Sequence, residues 1–288
     1  MEQEHKHGQH GEWNGEVDGE VDGGPDRALA AGLRGLRNVA TPGSLLPGVL
    51  ARTGLGDVSW RVDTPIGPVW VAYNARGVSA VLRGEGADGR DADARARLFR
   101  ARFERPLYPT DAPPADVARR VEARLQGDTR ARVSFDLRSA SDFERAVLGK
   151  AAEIPRSEVR PYAWVAREIG RPGAVRAVGS ALGHNPIPLL IPCHRVVRSD
   201  GRIDGYVFGD AAKEAMLTAE GVDLAALEGL ARAGVRYIGS DTTHIFCVPT
   251  CRNARRIAAP HRVPFASDDE ARAAGYRACK VCRPAPAA

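Results

Sequence analysis

The sequence predicts an α+β protein built from a small α/β domain, a helical domain and a terminal domain organised around cysteines. Three observations predict it: strand-period alternation from Val58 to Gly84, helix-period runs from Asp142 to Gly221, and five cysteines, of which none precedes Cys193 and four stand at 247, 251, 279 and 282. A chain of 288 residues has room for one to three domains at about 100–150 residues each.

Composition narrows the function classes. The chain carries 41 Lys plus Arg against 36 Asp plus Glu, a net charge of +5, and is 43% hydrophobic. Four of the basic residues are lysine and 37 are arginine. They run through predicted loops and helices alike, as a compositional habit rather than a nucleic-acid-binding tract. No stretch approaches the roughly 18–20 apolar residues of a membrane span. The opening MEQEHKHGQHGEWNGE is acidic and lacks a basic region followed by an apolar one, so a secretory signal is not expected. The expectation is a cytoplasmic chain with reduced thiols. An odd cysteine count crowded at one end is not a disulfide framework.

Residues 1–30 hold eight acidic and two basic residues, repeat GEVDGEVDGG, and read as disordered. His5, His7 and His10 could hold a metal only if that tail were ordered. Residues 31–56 are rich in Ala, Gly and Leu and complete a loosely attached leader with at most a short helix. The first folded domain spans 57–138. VSWRVDTPIGPVWVAYNARGVSAVLRG alternates at strand spacing around Pro-Ile-Gly and Asn-Ala-Arg-Gly turns, helices follow over Asp91–Phe103 and Ala115–Gln126, and Arg132–Leu137 returns to strand.

The second domain, 139–228, opens on DFERAVLGKAAEI, where Phe143, Val147, Leu148 and Ala151 share a helix face. PYAWVAREIG gives a short helix with Pro161 in its first turn and Gly170 as its stop. PGAVRAVGSALGHN gives another, starting near Pro172 and ended by Gly183 and Asn185. Two short helices around a Gly/Pro break are compatible with a helix-turn-helix, a pattern that many proteins without DNA partners share.

Chemistry concentrates in PIPLLIPCHRVVRSDGRIDGY, whose prolines hold an extended segment and deliver Cys193 beside His194. A thiol of pKa about 8.5 is only a few per cent ionised at neutral pH, so a nucleophilic cysteine needs a base or cation nearby. His194, being adjacent in sequence, would act through a water. Glu220, at the end of AAKEAMLTAEG, is one acid among several that could orient the imidazole. On these residues alone Cys193 is either such a nucleophile or a small core residue.

The terminal domain, 235–286, carries Cys247-Val-Pro-Thr-Cys251 and Cys279-Lys-Val-Cys282, two close pairs 27 residues apart. Four thiolates so paired suit tetrahedral zinc, against the alternatives of two disulfides or free thiols. Residues 231–288 hold ten Lys or Arg and four Asp or Glu, so this end is basic where the other is acidic. Arg252, Arg255 and Arg256 follow the first pair and are the expected phosphate contacts.

IPCHRVV, with NPIPLL before it and VRAVGSAL and VRPYAWVA upstream, resembles the active-site region of the O6-alkylguanine-DNA alkyltransferases, over about residues 60–226. The resemblance implies an RNase H-like N-terminal α/β domain and a winged-helix-like second domain. It implies stoichiometric, irreversible transfer of an alkyl group from O6 of guanine in double-stranded DNA to Cys193, with no organic cofactor. Carried over, His194 is the water-mediated base, Glu220 orients it, and Tyr162 protonates the departing guanine or presses on the flipped nucleotide's phosphate. Arg176 fills the space of the extruded base, with Ala177 and Ser180 close to the DNA backbone; Asn185 is a hinge, and Tyr206 lines the nucleotide pocket. Family members that bind lesions without repairing them replace the acceptor cysteine, which this chain keeps.

Residues 237–284 resemble the zinc-binding domain of the Ada family, in which the cysteine at the position of Cys247 accepts a methyl group from a DNA methylphosphotriester. Four thiolates leave a zinc centre anionic and repel phosphate, so methylating one sulfur would favour DNA binding. In Ada that domain comes first and an AraC-type region follows; here it comes last, no AraC-type segment is found, and the first pair reads CVPTC rather than CxPSC. Methyl acceptance by Cys247 and a plain zinc-stabilised DNA-binding role both stand. The expectation is therefore a monomeric, zinc-containing repair protein of the cytoplasm, at the nucleoid when DNA-bound. The alternative is a non-catalytic lesion sensor or methylation-responsive regulator.

Overall fold

The computed structural model describes residues 45–84, 92–128, 130–203 and 205–284. The acidic stretch 1–30, with its three histidines, lies outside them, as does the leader up to residue 44. The end of that leader is not loosely attached. Helix α1 (Leu45–Thr53) packs on the first two strands with Ala51 buried, and the Ala51 carbonyl accepts the Ala75 N–H at 2.8 Å.

Strands β1 (Asp57–Thr64), β2 (Gly67–Asn74) and β3 (Gly77–Arg83) form an antiparallel meander. Helix α2 (Ala92–Phe103) then returns the chain so that β4 (Leu107–Pro109) adds parallel to β1, for the order β3-β2-β1-β4. The sheet is covered on both faces. Val69, Val71 and Val81 enter the main core, while Ala72 and Ala80 pack on Phe99 and Phe103 of α2. Helix α3 (Ala115–Leu125) adds Val117 and Val121 to the main core.

The strand expected over Arg132–Leu137 does not form; one isolated bridge, Val78 with Phe135, remains of it. Two backbone bonds hold that bridge, Val78 N–H to the Ser134 carbonyl at 2.9 Å and Asp136 N–H to the Val78 carbonyl at 2.8 Å, and a buried polar network reinforces it. The Asn74 amide donates to Asp57 at 2.7 Å and to Asp136 at 2.9 Å, Ser79 donates to Asp57 at 2.5 Å, and Arg105 and Arg138 close the two carboxylates from outside. Gly77 sits at φ +130°, and a Cβ there would lie 2.3 Å from the Ser134 carbonyl oxygen, so the chain crosses at a spot only glycine leaves open.

The second domain starts with α4 (Asp142–Ala152), which is held at its N-terminus by a capping box between Ser141 and Glu144 and buries the expected Val147, Leu148 and Ala151. A two-residue strand, β5 (Arg160–Pro161), leads into α5 (Tyr162–Glu168), and α6 (Val175–Gly183) follows. Helix α6 begins three residues after Pro172, because a turn with an Ala174 N–H to Arg171 carbonyl bond occupies the intervening residues. A 3₁₀ turn (Cys193–Arg195), β6 (Val196–Val197), α7 (Asp210–Ala219) and α8 (Leu224–Arg232) complete it, with β5 and β6 paired in parallel. The last domain holds β7 (Tyr237–Ser240), β8 (Ile245–Cys247), α9 (Arg252–Arg255), β9 (Arg262–Phe265), α10 (Asp268–Ala273) and β10 (Arg277–Ala278). Its sheet runs β10-β8-β7-β9. Among the described residues no helix is long and apolar enough to cross a membrane.

Asn74→Ala strands two buried carboxylates, so it is expected to cost roughly 2–4 kcal/mol of folding stability. Chemical denaturation of the variant beside wild type measures it; a loss well under 1 kcal/mol would show that the network is dispensable.

Candidate active site and metal centre

The extended segment after α6 is pinned by one side chain. Asn185 is 1% exposed, and its Oδ1 accepts the Ile187 N–H at 2.9 Å. Its amide donates to the Ile191 carbonyl at 2.9 Å and to Cys193 Sγ at 3.1 Å. The residue expected as a hinge therefore also touches the sulfur. Leu189, at φ +73°, turns the chain between these two anchors.

Cys193 is 5% exposed and its neighbour His194 is fully enclosed. Burial pushes the Cys193 thiol up to about 11, against the pull of the Asn185 amide and the Lys213 charge. At neutral pH the group is a thiol and needs its proton removed. Burial also lowers the His194 pKa, against the opposing effect of Glu220, so the ring is a neutral imidazole. Its Nε2 lies 3.0 Å from Glu220 Oε1. Although burial raises Glu220, hydrogen bonds from His194 and Arg195 hold it at about 2. An ionised Glu220 fixes the proton on Nε2 and leaves Nδ1 as the basic nitrogen, which is buried with no hydrogen-bond partner among the described residues.

Of the acids the sequence offers, Glu220 is the one bonded to His194, and its own anchor, Arg195, carries no sequence signal. Arg195 grips both carboxylate oxygens, at 2.9 and 2.7 Å, and donates to the Ile154 carbonyl at 2.7 Å. Lys213, which the sequence also does not single out, is fully buried, donates to the Val196 carbonyl at 2.7 Å and lies 6.0 Å from the centre of the Tyr162 ring. A lysine at one position of a helix face carries no sequence signal of burial.

Tyr162 opens α5 and places its hydroxyl 3.4 Å from the Gly205 carbonyl; a Cβ on Gly179 of α6 would meet its ring at 3.9 Å. Tyr206 sets its ring edge-on to His194, 6.0 Å between centres, and its hydroxyl is buried with no partner among the described residues. Arg176, Ala177 and Ser180 lie exposed together on the outer side of α6.

The four C-terminal cysteines converge as expected. All are buried, and their sulfurs lie within 4.8 Å of one another. Such crowding drives the Cys247 thiol pKa up and that of Cys251 down. An enclosed four-sulfur set with no competing oxygen ligand fits tetrahedral zinc. Asn253 donates to Cys279 Sγ at 3.5 Å. Of the four, Cys247 lines a cavity of about 480 Å³, together with Thr242, Asn253, Arg256 and His261. Arg252 and Arg255 are exposed beside it but do not line it.

The chain is similar to known proteins over the regions that hold both sites. Residues 142–222 match the family of the 6-O-methylguanine DNA methyltransferase DNA-binding domain, and residues 231–285 match the metal-binding domain of Ada. A methylated-DNA–protein-cysteine methyltransferase of Methanosarcina barkeri is 37% identical over 166 residues, 55% of this chain and 94% of that protein. The bifunctional transcriptional activator/DNA repair enzyme Ada of Escherichia coli is 36% identical over 165 residues, 55% of this chain and 44% of that protein. The crystal structure of Mycobacterium tuberculosis OGT in complex with DNA is 30% identical and covers 59% of this chain and 99% of that one, with a TM-score of 0.46.

The chain belongs to the methylated-DNA–protein-cysteine methyltransferase family of DNA-repair enzymes. Its C-terminal part is a zinc-binding domain of the Ada type.

Glu220 titrates below its usual value in the folded state, so its stabilising contribution is present above about pH 4.5 and is lost as pH falls toward 2. The stability gap between wild type and Glu220→Gln is expected to be on the order of 3 kcal/mol at pH 7 and to close across that window. Denaturation curves at stepped pH check it; a constant gap would mean that the carboxylate is not held ionised.

Proposed function

We propose that the protein repairs O6-alkylguanine in double-stranded DNA by moving the alkyl group, once and irreversibly, onto Cys193 Sγ. The observation that carries this reading is the buried array in which Asn185 touches the sulfur and the ionised Glu220 leaves a basic Nδ1 on His194. His194 takes the thiol proton through a water. The sulfur then forms a bond to the alkyl carbon as the carbon–O6 bond breaks, and the electron pair leaves with guanine, which Tyr162 protonates. No turnover follows, because the thioether has no route back.

A paired O6 atom cannot reach a buried sulfur, so the base is flipped out at a cost of a few kcal/mol. Helix α6 offers the surface for this step, with Arg176 as the side chain that fills the vacated stack and Ala177 and Ser180 small enough to let the backbone lie against the sugar-phosphate chain. Tyr206 lines the receiving pocket with a buried hydroxyl that has no partner among the described residues. The reading includes an RNase H-like N-terminal domain over 57–138, which the 3-2-1-4 strand order with a parallel fourth strand supports, a winged-helix-like catalytic domain over 139–228, and a zinc domain over 235–286. The protein acts as a monomer in the cytoplasm, at the nucleoid when DNA-bound.

A second acceptor is favoured by one observation: Cys247, one of the four clustered sulfurs, lines a cavity with Arg256 on its wall. That arrangement suits a methylphosphotriester donor, with Arg252, Arg255 and Arg256 on neighbouring phosphates. A lesion sensor without transfer would have no use for a basic nitrogen beside a buried thiol.

Incubation with duplex DNA carrying O6-methylguanine is expected to add one methyl group to the Cys193 peptide, read by mass spectrometry. A duplex carrying a methylphosphotriester is expected to mark Cys247. Cys193→Ala should keep DNA binding and lose the first transfer. An unmodified Cys193 in folded, DNA-bound protein would sink the acceptor reading, and an unmodified Cys247 would reduce the zinc domain to a binding module.

A further inference from the structure

The zinc domain does not hang from the catalytic domain by a linker; it grips the segment that carries Tyr162. The loop between Cys247 and Cys251 presents Thr250, whose hydroxyl oxygen accepts the Val159 N–H at 3.0 Å and lies 3.3 Å from the Val159 carbonyl. At the next turn Glu158, 1% exposed, accepts the Arg252 N–H at 3.0 Å and pairs with Arg160 at 2.5 Å. The second cysteine pair holds the other end. Trp164, 3% exposed on α5, donates its indole N–H to the Cys282 carbonyl at 2.9 Å, and Arg167 donates to the Pro284 carbonyl at 2.7 Å. Arg283 returns the contact to Glu168 at 2.6 Å.

The gripped segment touches the chemistry at two points. Tyr162 lies between these anchors as the first residue of α5, and β5 pairs Arg160 with Val196 and Pro161 with Val197, directly after the Cys193–Arg195 turn. Both cysteine loops must hold their shape for the grip to exist, and they hold it through the ligands of one metal centre.

We propose that the C-terminal zinc domain is a positioning element of the O6 site. Trp164, Glu158 and Thr250 relay the metal-held geometry of the two cysteine loops to Tyr162 and, through β5 and β6, to Cys193. The inference rests on the acceptor role of Cys193 argued above and adds that this role depends on the second domain. Trp164 touches no reacting atom, so its part is positioning.

Single-turnover transfer from duplex DNA containing O6-methylguanine, run over a range of full-length, zinc-loaded protein, separates DNA affinity from the maximal transfer rate. Trp164→Phe, which keeps an aromatic ring and removes the N–H, is expected to lower the maximal rate by roughly threefold to tenfold at unchanged DNA affinity. Zinc release to a chromogenic chelator should speed up by a similar factor. Stripping zinc from wild type should slow transfer at least as much, and Trp164→Phe should add nothing further in stripped protein. Thr250→Val, read the same way, carries the test if Trp164→Phe does not fold. Transfer indifferent to zinc and to both substitutions overturns the coupling alone, whereas no transfer by zinc-loaded wild type overturns the acceptor reading itself.

Discussion

The catalytic half is organised around a single buried carboxylate. Glu220 closes α7 by capping it at a residue followed by Gly221 at φ +82°, and so delivers two oxygens into the core at a fixed point. One oxygen takes His194 and both take Arg195, whose remaining nitrogen reaches the end of α4 at the Ile154 carbonyl. A buried ion would be costly if it were not paired and hydrogen-bonded on all sides. Here the pairing sets the imidazole tautomer, so the energetic requirement of burial and the chemical requirement of a base with a bare nitrogen are met by the same contacts. Removing any member leaves a charge or a donor stranded in the core.

The reading of Cys193 depends on this environment more than on the sulfur itself. A thiol held near 11 is a poor nucleophile in isolation. Exposure would lower that value but would also admit water and small electrophiles to a group that can be used once. The burial that raises the thiol pKa also shields it, and His194, the next residue, is a neutral imidazole enclosed in the same way. Asn185 contributes an oriented dipole at 3.1 Å that helps the developing thiolate without placing a competing charge beside it.

Local sequence signals made much of this legible. The meander, α2 to α6 and the two cysteine pairs follow from period and spacing, and Cys193, His194 and Glu220 stand out because a short motif and a helix end lie where the chain is punctuated by Pro and Gly. What escaped reading depends on contacts between distant residues. Arg132–Leu137 has strand composition, but its pairing stops at the bridge to Val78, and the Asn74 amide, 62 residues away from Asp136 in sequence, adds a side-chain anchor there. Glu158 bonds a backbone N–H 94 residues on, and Trp164 a carbonyl 118 residues on. Periodicity could mark Trp164 as apolar and buried but not say that its N–H serves a metal-binding loop. The leader misled for a related reason: Ala51 is buried by strands that the leader's own composition does not announce.

The arginine excess, read from sequence as a habit, takes on a physical meaning in the fold. Arg83 reaches the Phe208 carbonyl at 3.1 Å, Arg102 that of His184 at 2.6 Å, Arg156 that of Ala219 at 3.0 Å and Arg167 that of Pro284 at 2.7 Å. Each of these bonds spans at least 63 residues of sequence, and each ends on a carbonyl at a helix end, in a loop or near the chain terminus. A guanidinium donates in several directions from one plane and stays charged when partly desolvated, so it can satisfy such carbonyls while its stem crosses apolar surface. An ammonium on the same stem is a compact, strongly hydrated charge and loses more on leaving water. Arg83 and Arg102 tie the N-terminal domain to two segments of the catalytic domain, at Phe208 beside Tyr206 and at His184 beside Asn185. Through β3 and α2 the N-terminal domain thus holds the chain after Tyr206 and the end of α6 in place.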